Sequence, residues 1–529
     1  MATDPSERTI MADIVLINPR FELSYWGLER ALPLVGKKCN LPTACLPLLA
    51  ALTPPGHRVT IIDENVEPID YDRVARADVV GLTGMTVQRA RMREILGELK
   101  SRGTFTVVGG PWVSVQEDYF DGLVDAIFVG EAETTWPRFL EDWAAGAHQP
   151  RYEQSERTDM TQVPVPRYDL LNAGEYLFGS IQFSRGCPFQ CEFCDIIVTF
   201  GRRPRLKTSA QVIAELEALR RQHLTIAFIV DDNLIGNKAA VKVLLRDIAA
   251  WQEAEGYPFS FFTEASLNLA EDDELMALMD AANIQVVFIG IESPNEESLR
   301  ETKKYQNVHK GDTAVDRVRR IQDAGLEVWC GMIVGFDHDD TQIFAAQREF
   351  MRQTDIMHAM VGMLSAIPKT PLHARLHDEG RLDLEDLQPF GTNVIPLGMS
   401  REQLRDGYVA LMRDLYEPNF YFERLENLYL TRKFNFSRAR AEYWKRHRWH
   451  RRRAKSLDAL RAAGLFLRLM TTIPEPHLRR IYRREMATIL RRRPDPAVLF
   501  ICVIKCAMHY HHYSMSRQMV EERALVNTF

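Results

Sequence analysis

No run of about 18 uncharged apolar residues occurs in the 529-residue chain, which excludes an ordinary membrane-spanning helix. The first ten residues, with Asp4, Glu7 and Arg8, lack the basic-then-apolar layout of a secretory leader, so the expected compartment is the cytoplasm. Cysteine is scarce. Eight thiols are too few for a disulfide framework at this length and fit a reducing compartment. Nor is one charge sign in large excess: 66 basic residues against 72 acidic ones give a net charge of −6, so the chain is no polycation and no nucleic-acid partner is expected. What is present, 46% hydrophobic and 26% charged residues, is the balance of a globular protein with two or three cores.

From Asp13 to about Asp142, short β-rich runs (14–17, 57–63, 78–83, 104–110 and 126–130) alternate with helix-length segments. Strands this apolar predict a buried parallel sheet with helices on both faces, an α/β doubly wound domain over residues 10–148. Ligands bind such sheets at the carboxyl ends of the strands, where Asp63, Thr83, Gly84, Gly109, Gly110, Gly130 and Glu131 lie. The glycines would let backbone approach a ligand closely, or simply supply tight turns. A proline-bearing polar stretch predicts a linker over 149–175. Six further βα units follow, with strands expected near 180–183, 226–230, 260–263, 286–290, 328–334 and 361–365, and predict a full or partial parallel barrel over 176–380. Residues 381–529 read as a helical, basic region. Between Arg432 and Lys455 about eleven Lys and Arg stand against one Glu, interleaved with Phe434, Phe436, Tyr443, Trp444 and Trp449.

Three of the eight cysteines, Cys187, Cys191 and Cys194, fall within eight residues at Cys-x3-Cys-x2-Cys spacing, directly after a predicted strand. A short loop can fold three thiolates around a soft metal centre, and three ligands on a four-iron cluster leave one iron open to an exogenous ligand. A structural zinc site would want a fourth nearby Cys or His. Buried thiols can also cluster by chance.

This motif resembles the signature of the radical S-adenosylmethionine (SAM) superfamily, in which an aromatic residue precedes the third cysteine; Phe193 fills that place. The resemblance implies that Cys187, Cys191 and Cys194 hold three irons of a [4Fe–4S] cluster while SAM chelates the fourth. One electron then cleaves SAM to methionine and a 5′-deoxyadenosyl radical. It also implies that Asp231, Asp232 and Asn233 lie at the SAM amino group and that Glu264 and Glu292 make polar contacts to the nucleoside. Read from the residues alone, Asp231 could instead cap the next helix and Glu292 could pair with a barrel lysine. With Gly109-Gly110-Pro111 and Gly130-Glu131-Ala132-Glu133 at strand ends of the preceding domain, residues 10–380 look like the cobalamin-binding subclass, many of whose members are C-methyltransferases. The Asp-x-His-x-x-Gly motif that supplies cobalt with a lower histidine ligand is missing. The resemblance therefore implies cobalamin held without a protein histidine, its tail against Gly109, Gly110 and Gly130, or else a domain that has lost cobalamin.

The whole layout is similar to a group that includes hopanoid C-methylases, which implies an apolar, lipid-like substrate, an electron donor such as flavodoxin or ferredoxin, and a methyl group passed through cobalt to a carbon radical. An unactivated carbon has no acidic proton, so acid–base chemistry could not prepare it and hydrogen abstraction could. The basic aromatic segment could rest on anionic headgroups as a peripheral membrane contact, or be a solvated or internally paired basic helix. His509, His511 and His512 are expected as packing or surface residues, and Cys330 as a buried structural thiol. Tyr176 and Arg202, flanking the cysteine loop, are further candidates. The alternatives are a radical SAM oxidoreductase or ring-forming enzyme that moves no methyl group, a non-catalytic lipid-surface scaffold with a vestigial cluster, and a plain electron carrier.

Overall fold

The computed structural model describes residues 11–308, 311–385 and 391–522. Residue 10 of the expected 10–148 domain, residues 309–310 of the expected 176–380 barrel and residues 386–390 and 523–529 of the expected 381–529 region fall outside them, as do residues 1–10, whose sequence lacks a leader pattern.

β1 (Asp13–Asn18) lies between β2 (Arg58–Asp63) and β3 (Val79–Thr83), and β4 (Thr106–Gly109), β5 (Ala126–Val129) and β6 (Arg151–Glu153) continue the sheet in the order β2-β1-β3-β4-β5-β6, every pair parallel. Side chains alternate between the two faces. Ile17, Val80, Leu82 and Val108 pack with Met92, Ile95 and Leu99 on one side. Ile14, Leu16, Val79 and Val107 pack with Trp136, Phe139 and Leu140 on the other. Strand order reverses between β1 and β3, and this switch point opens the crevice at the carboxyl edge. β6 corrects the linker reading of 149–175: Arg151–Glu153 pairs with β5, and only Tyr152 of its three residues is buried, a signal too short for periodicity to expose.

The second sheet begins with β7 (Gly179–Ile181). β8 (Ser184–Arg185) and β9 (Arg205–Leu206) form a small antiparallel ribbon, and the cysteine loop is strung between them. β10 (Ile226–Ile229), β11 (Ser260–Ala265), β12 (Ile284–Glu292), β13 (Glu327–Val334) and β14 (Ala359–Met363) complete a six-stranded parallel sheet in sequential order from β7, with β7 and β14 as its edges. This is the partial barrel. One alternate set of strand side chains, including Ala227, Ile229, Phe261, Val287 and Val328, packs under the helices. Cys330 belongs to that set, 3.7 Å from Met351, and is a core thiol.

The helices after Ser400 do not form a separate globule. Tyr416, Tyr421, Leu469, Cys506 and Met515 share one apolar core with the barrel. So do Tyr25, Leu28, Leu32 and Leu34, which follow β1 in sequence yet leave the first domain to pack between barrel and tail. Among the described residues, no helix is long and apolar enough to cross a membrane.

Candidate functional site

The cysteine loop is held at its base by backbone geometry. Gly186 has φ of +97°, and a Cβ there would meet the carbonyl oxygen of Gly201 at 2.9 Å, so only glycine fits. Asp231, fully buried at the end of β10, accepts hydrogen bonds from the Phe183 and Ser184 amides, both at 2.8 Å, and from the Ser184 hydroxyl at 2.6 Å. Burial raises its pKa to about 7. Both oxygens thus brace the strand that launches the loop, and the cap of the following helix is Asn237 and not Asp231. Asp232 accepts from the Gly186 amide at 3.2 Å, and burial raises it to about 6. Asn233 directs its amide toward Cys187 Sγ at 3.9 Å and to Ser266 at 3.2 Å.

Around the thiols stand groups that the sequence did not reveal. Gln306 donates to Cys191 Sγ at 3.4 Å. Lys304 is buried, 2.7 Å from Glu292, and its charge acts on Cys191 and Cys194. Glu292 thus has the lysine partner allowed above; it sits at the β12 irregularity with a left-handed φ of +66°, a strained place for a non-glycine residue. Phe193 packs toward Phe336, with ring centroids 6.2 Å apart, and anchors the loop instead of facing the cavity. Burial raises the Cys187 and Cys194 thiols. Amide donors and a buried cation aimed at three sulfurs fit an anionic iron–sulfur group. Among the described residues, no three His, Cys, Asp or Glu side chains converge closely enough to hold a single ion.

A cavity of about 870 Å³ separates the carboxyl edges of the two sheets. Thr83, Gly84, Gly109, Gly110 and Gly130, at the carboxyl ends of their strands, form its wall on the first domain. At Gly130, φ is +75° and a Cβ would project into open space, while Gly110 at φ +99° clears the Thr83 hydroxyl and Gly84. This bare wall fits a large flat cofactor lying on backbone. The only histidine on the cavity wall among the described residues is His512, which comes from the far, helical end of the chain. On the barrel side, Glu264 faces the cavity without a hydrogen-bond partner among the described residues, and burial, with the charges of Asp232 and Glu292 behind it, raises its pKa to about 8.

Glu131 lies on the same wall, yet both its oxygens are engaged. Arg185, the residue before Gly186, reaches it at 2.8 Å, Arg205 at 2.7 Å and the Thr158 amide at 2.8 Å. Burial opposes ionisation, but the Arg205 hydrogen bonds and the Arg185 charge outweigh it and hold Glu131 down at about 2. Glu131 thus forms a clasp between the first domain and the ribbon that carries the cysteines. Tyr176 is a second tie, donating from its buried hydroxyl to Asp63 at 2.9 Å, and Arg202 is exposed beside Pro188. His509, His511 and His512 are buried and neutral at ordinary pH, since burial lowers all three. Each directs Nε2 at a backbone carbonyl, of Tyr416, Ser24 and Tyr25 respectively.

On the other side the cavity reaches into the barrel. Phe228, Phe262, Phe288 and Trp329, the inward-facing alternates of β10 to β13, line it together with Phe178 and Trp26. Phe228 and Phe262 stack at 4.3 Å, and Trp26 meets Phe288 edge-on at 5.1 Å.

A three-thiol loop on an open parallel barrel, facing a glycine-walled doubly wound domain, defines a radical SAM enzyme with a cobalamin-type domain. Family models match accordingly: the B12 binding domain over residues 41–140, the Radical SAM superfamily over 181–346 and a domain of unknown function, DUF4070, over 370–524. An uncharacterized methyltransferase of Synechocystis sp. is 41% identical over 420 residues, covering 78% of this chain and 77% of that protein. The hopanoid C-2 methylase of Rhodopseudomonas palustris is 33% identical over 419 residues, covering 78% of each. The cobalamin-dependent radical enzyme OxsB, solved with aqua-cobalamin and SAM, shares the fold with a TM-score of 0.60 at 14% identity, over 98% of this chain and 82% of that one. The chain belongs to the cobalamin-dependent radical SAM methyltransferase family.

Proposed function

We propose that this methyltransferase acts on an unactivated carbon of an apolar, lipid-like, ring-containing substrate. The observation that carries this reading is the aromatic chamber in the barrel, which opens into the glycine-walled space and offers flat apolar faces in place of hydrogen-bonding groups. The hopanoid named for one relative is of that kind.

When bound, the iron–sulfur cluster and SAM supply one-electron cleavage, and cobalamin supplies a methyl carrier. The chain's part is placement and exclusion. Cys187, Cys191 and Cys194 would hold the cluster; Asn233, Gln306 and Lys304 would face its sulfurs; Asp232 would take the amino group of SAM and Glu264 its nucleoside hydroxyls; Thr83, Gly84, Gly109, Gly110 and Gly130 would carry the corrin. Phe228, Phe262, Phe288 and Trp329 keep water and competing hydrogen donors from the reacting carbon. Electrons come from a small donor of the flavodoxin or ferredoxin type.

The test is incubation of the reconstituted protein with methyl-deuterated SAM, reductant and a polycyclic lipid extract. The reading expects a lipid product carrying the labelled methyl, with S-adenosylhomocysteine and 5′-deoxyadenosine formed in equal amounts. Formation of 5′-deoxyadenosine and an altered lipid without S-adenosylhomocysteine would replace it with a radical reaction that moves no methyl group.

A further inference from the structure

The Arg448–Thr472 helix has two opposite faces, both apolar. Ala462, Leu465 and Leu469 are buried in the common core, packed toward the Pro496–Glu522 helix. On the other side Trp449, Leu460 and Leu467 are 82%, 70% and 65% exposed. They are eleven and then seven residues apart, close to three and two whole turns, so they stand in one line along the outer face, spanning roughly 27 Å. Ala463 and Gly464, exposed between them, leave the ridge smooth.

Charge frames this line on one side of the sign scale. The helix carries seven Arg and Lys against a single acid, Asp458, which lies on the inward side near Arg440. Arg448, Arg451, Arg452 and Arg453 are exposed around Trp449, with Arg452 set against its ring, and Arg461 and Arg468 flank the leucines. An exposed apolar row bordered by guanidinium groups is complementary to a surface that is apolar within and anionic at its boundary. A second copy of the face does not satisfy it, because a two-fold contact would set arginine against arginine. A nucleic-acid backbone would take the arginines and leave both leucines in water.

We propose that this face docks the protein on an anionic phospholipid bilayer, with Trp449, Leu460 and Leu467 at the acyl–headgroup boundary and the arginines on the phosphates. The position suits delivery. Arg468 donates to the Leu34 carbonyl, tying the helix to the segment that follows Ser24–Glu29 on the cavity wall, and the helix beneath contributes Met508 and His512 to that wall. The surface proposal goes beyond the substrate reading and does not depend on it.

The test is cosedimentation of the full-length, cluster-reconstituted protein with vesicles of phosphatidylcholine alone and of phosphatidylcholine with phosphatidylglycerol. Expected are partition at least about tenfold stronger onto the anionic vesicles, weakening as salt rises, and loss of at least about tenfold in the W449S/L460S/L467S variant. An R451E/R452E/R453E variant should remove the preference for phosphatidylglycerol. Both variants should keep wild-type iron content and 5′-deoxyadenosine formation, which shows that they fold. Absence of binding to anionic vesicles, binding indifferent to both variants, or a solution dimer that the apolar variant dissolves would each overturn the proposal. Vesicle binding without methyl transfer would overturn only the substrate reading, and methylation of detergent-dispersed lipid without vesicle binding would overturn only this one.

Discussion

Glu131 joins two halves of the molecule through Arg185 and Arg205 and is held ionised by them. Its pKa lies below the ordinary 4.5, so the stability it contributes is complete above about pH 4.5 and fades as pH falls toward 2. Glu131→Gln should cost about 2 kcal/mol at pH 7, after allowance for solvent screening. The difference in Tm between wild type and variant should shrink as thermal melts are taken from pH 5 down to pH 2; a constant difference would show that the clasp is not ionic. At Gly186 the constraint is steric. Gly186→Ala places a methyl against the Gly201 carbonyl at a positive φ, costing about 1–3 kcal/mol locally, and should lower iron per chain after reconstitution while leaving far-ultraviolet circular dichroism unchanged. These two residues differ in how far the sequence disclosed them. Gly186 stands next to Cys187 in sequence, but the cysteine spacing does not announce the left-handed conformation it must adopt. Glu131 was legible as a strand-end residue, but its partners are 54 and 74 positions away and nothing local announces them.

At the scale of elements, most strands were legible because each is a short, β-rich apolar run; β6, β8 and β9 escaped because two or three residues with at most one apolar side chain carry no period. The chamber escaped for another reason. Phe228, Phe262, Phe288 and Trp329 all fall in strands that the sequence predicts, yet alternation says only that neighbours face opposite ways, and both faces of a parallel sheet are apolar. Only closure of β10 to β13 around an interior decides which set lines it. Trp329→Ala should therefore leave the cluster and SAM cleavage intact while uncoupling them from product, with kcat/KM for the lipid falling at least about tenfold. Equal losses in 5′-deoxyadenosine and product would place Trp329 in cofactor support instead. By the same logic the excursion of Tyr25, Leu28 and Leu32 into the barrel core was invisible, since a segment after β1 reads locally as a connection within its own domain.

Across the whole molecule, the two sheets present their carboxyl edges to one cavity, and the helical end of the chain closes the barrel through a shared core. The order of doubly wound domain, barrel and helical region was readable from composition and period. The cysteine spacing supplied the chemistry. What no local pattern could supply was the relation between the parts: the Glu131 clasp, the Tyr176–Asp63 tie and the passage of Met508 and His512 to the cavity wall. The central claim is that one chain carries both an iron–sulfur cluster and cobalamin. Metal analysis after anaerobic purification from cobalamin-supplied cells and cluster reconstitution tests it directly. The account predicts about one cobalt and four irons per chain, with iron lost and cobalt retained in the C187A/C191A/C194A variant. Iron without cobalt in the wild-type protein would contradict it.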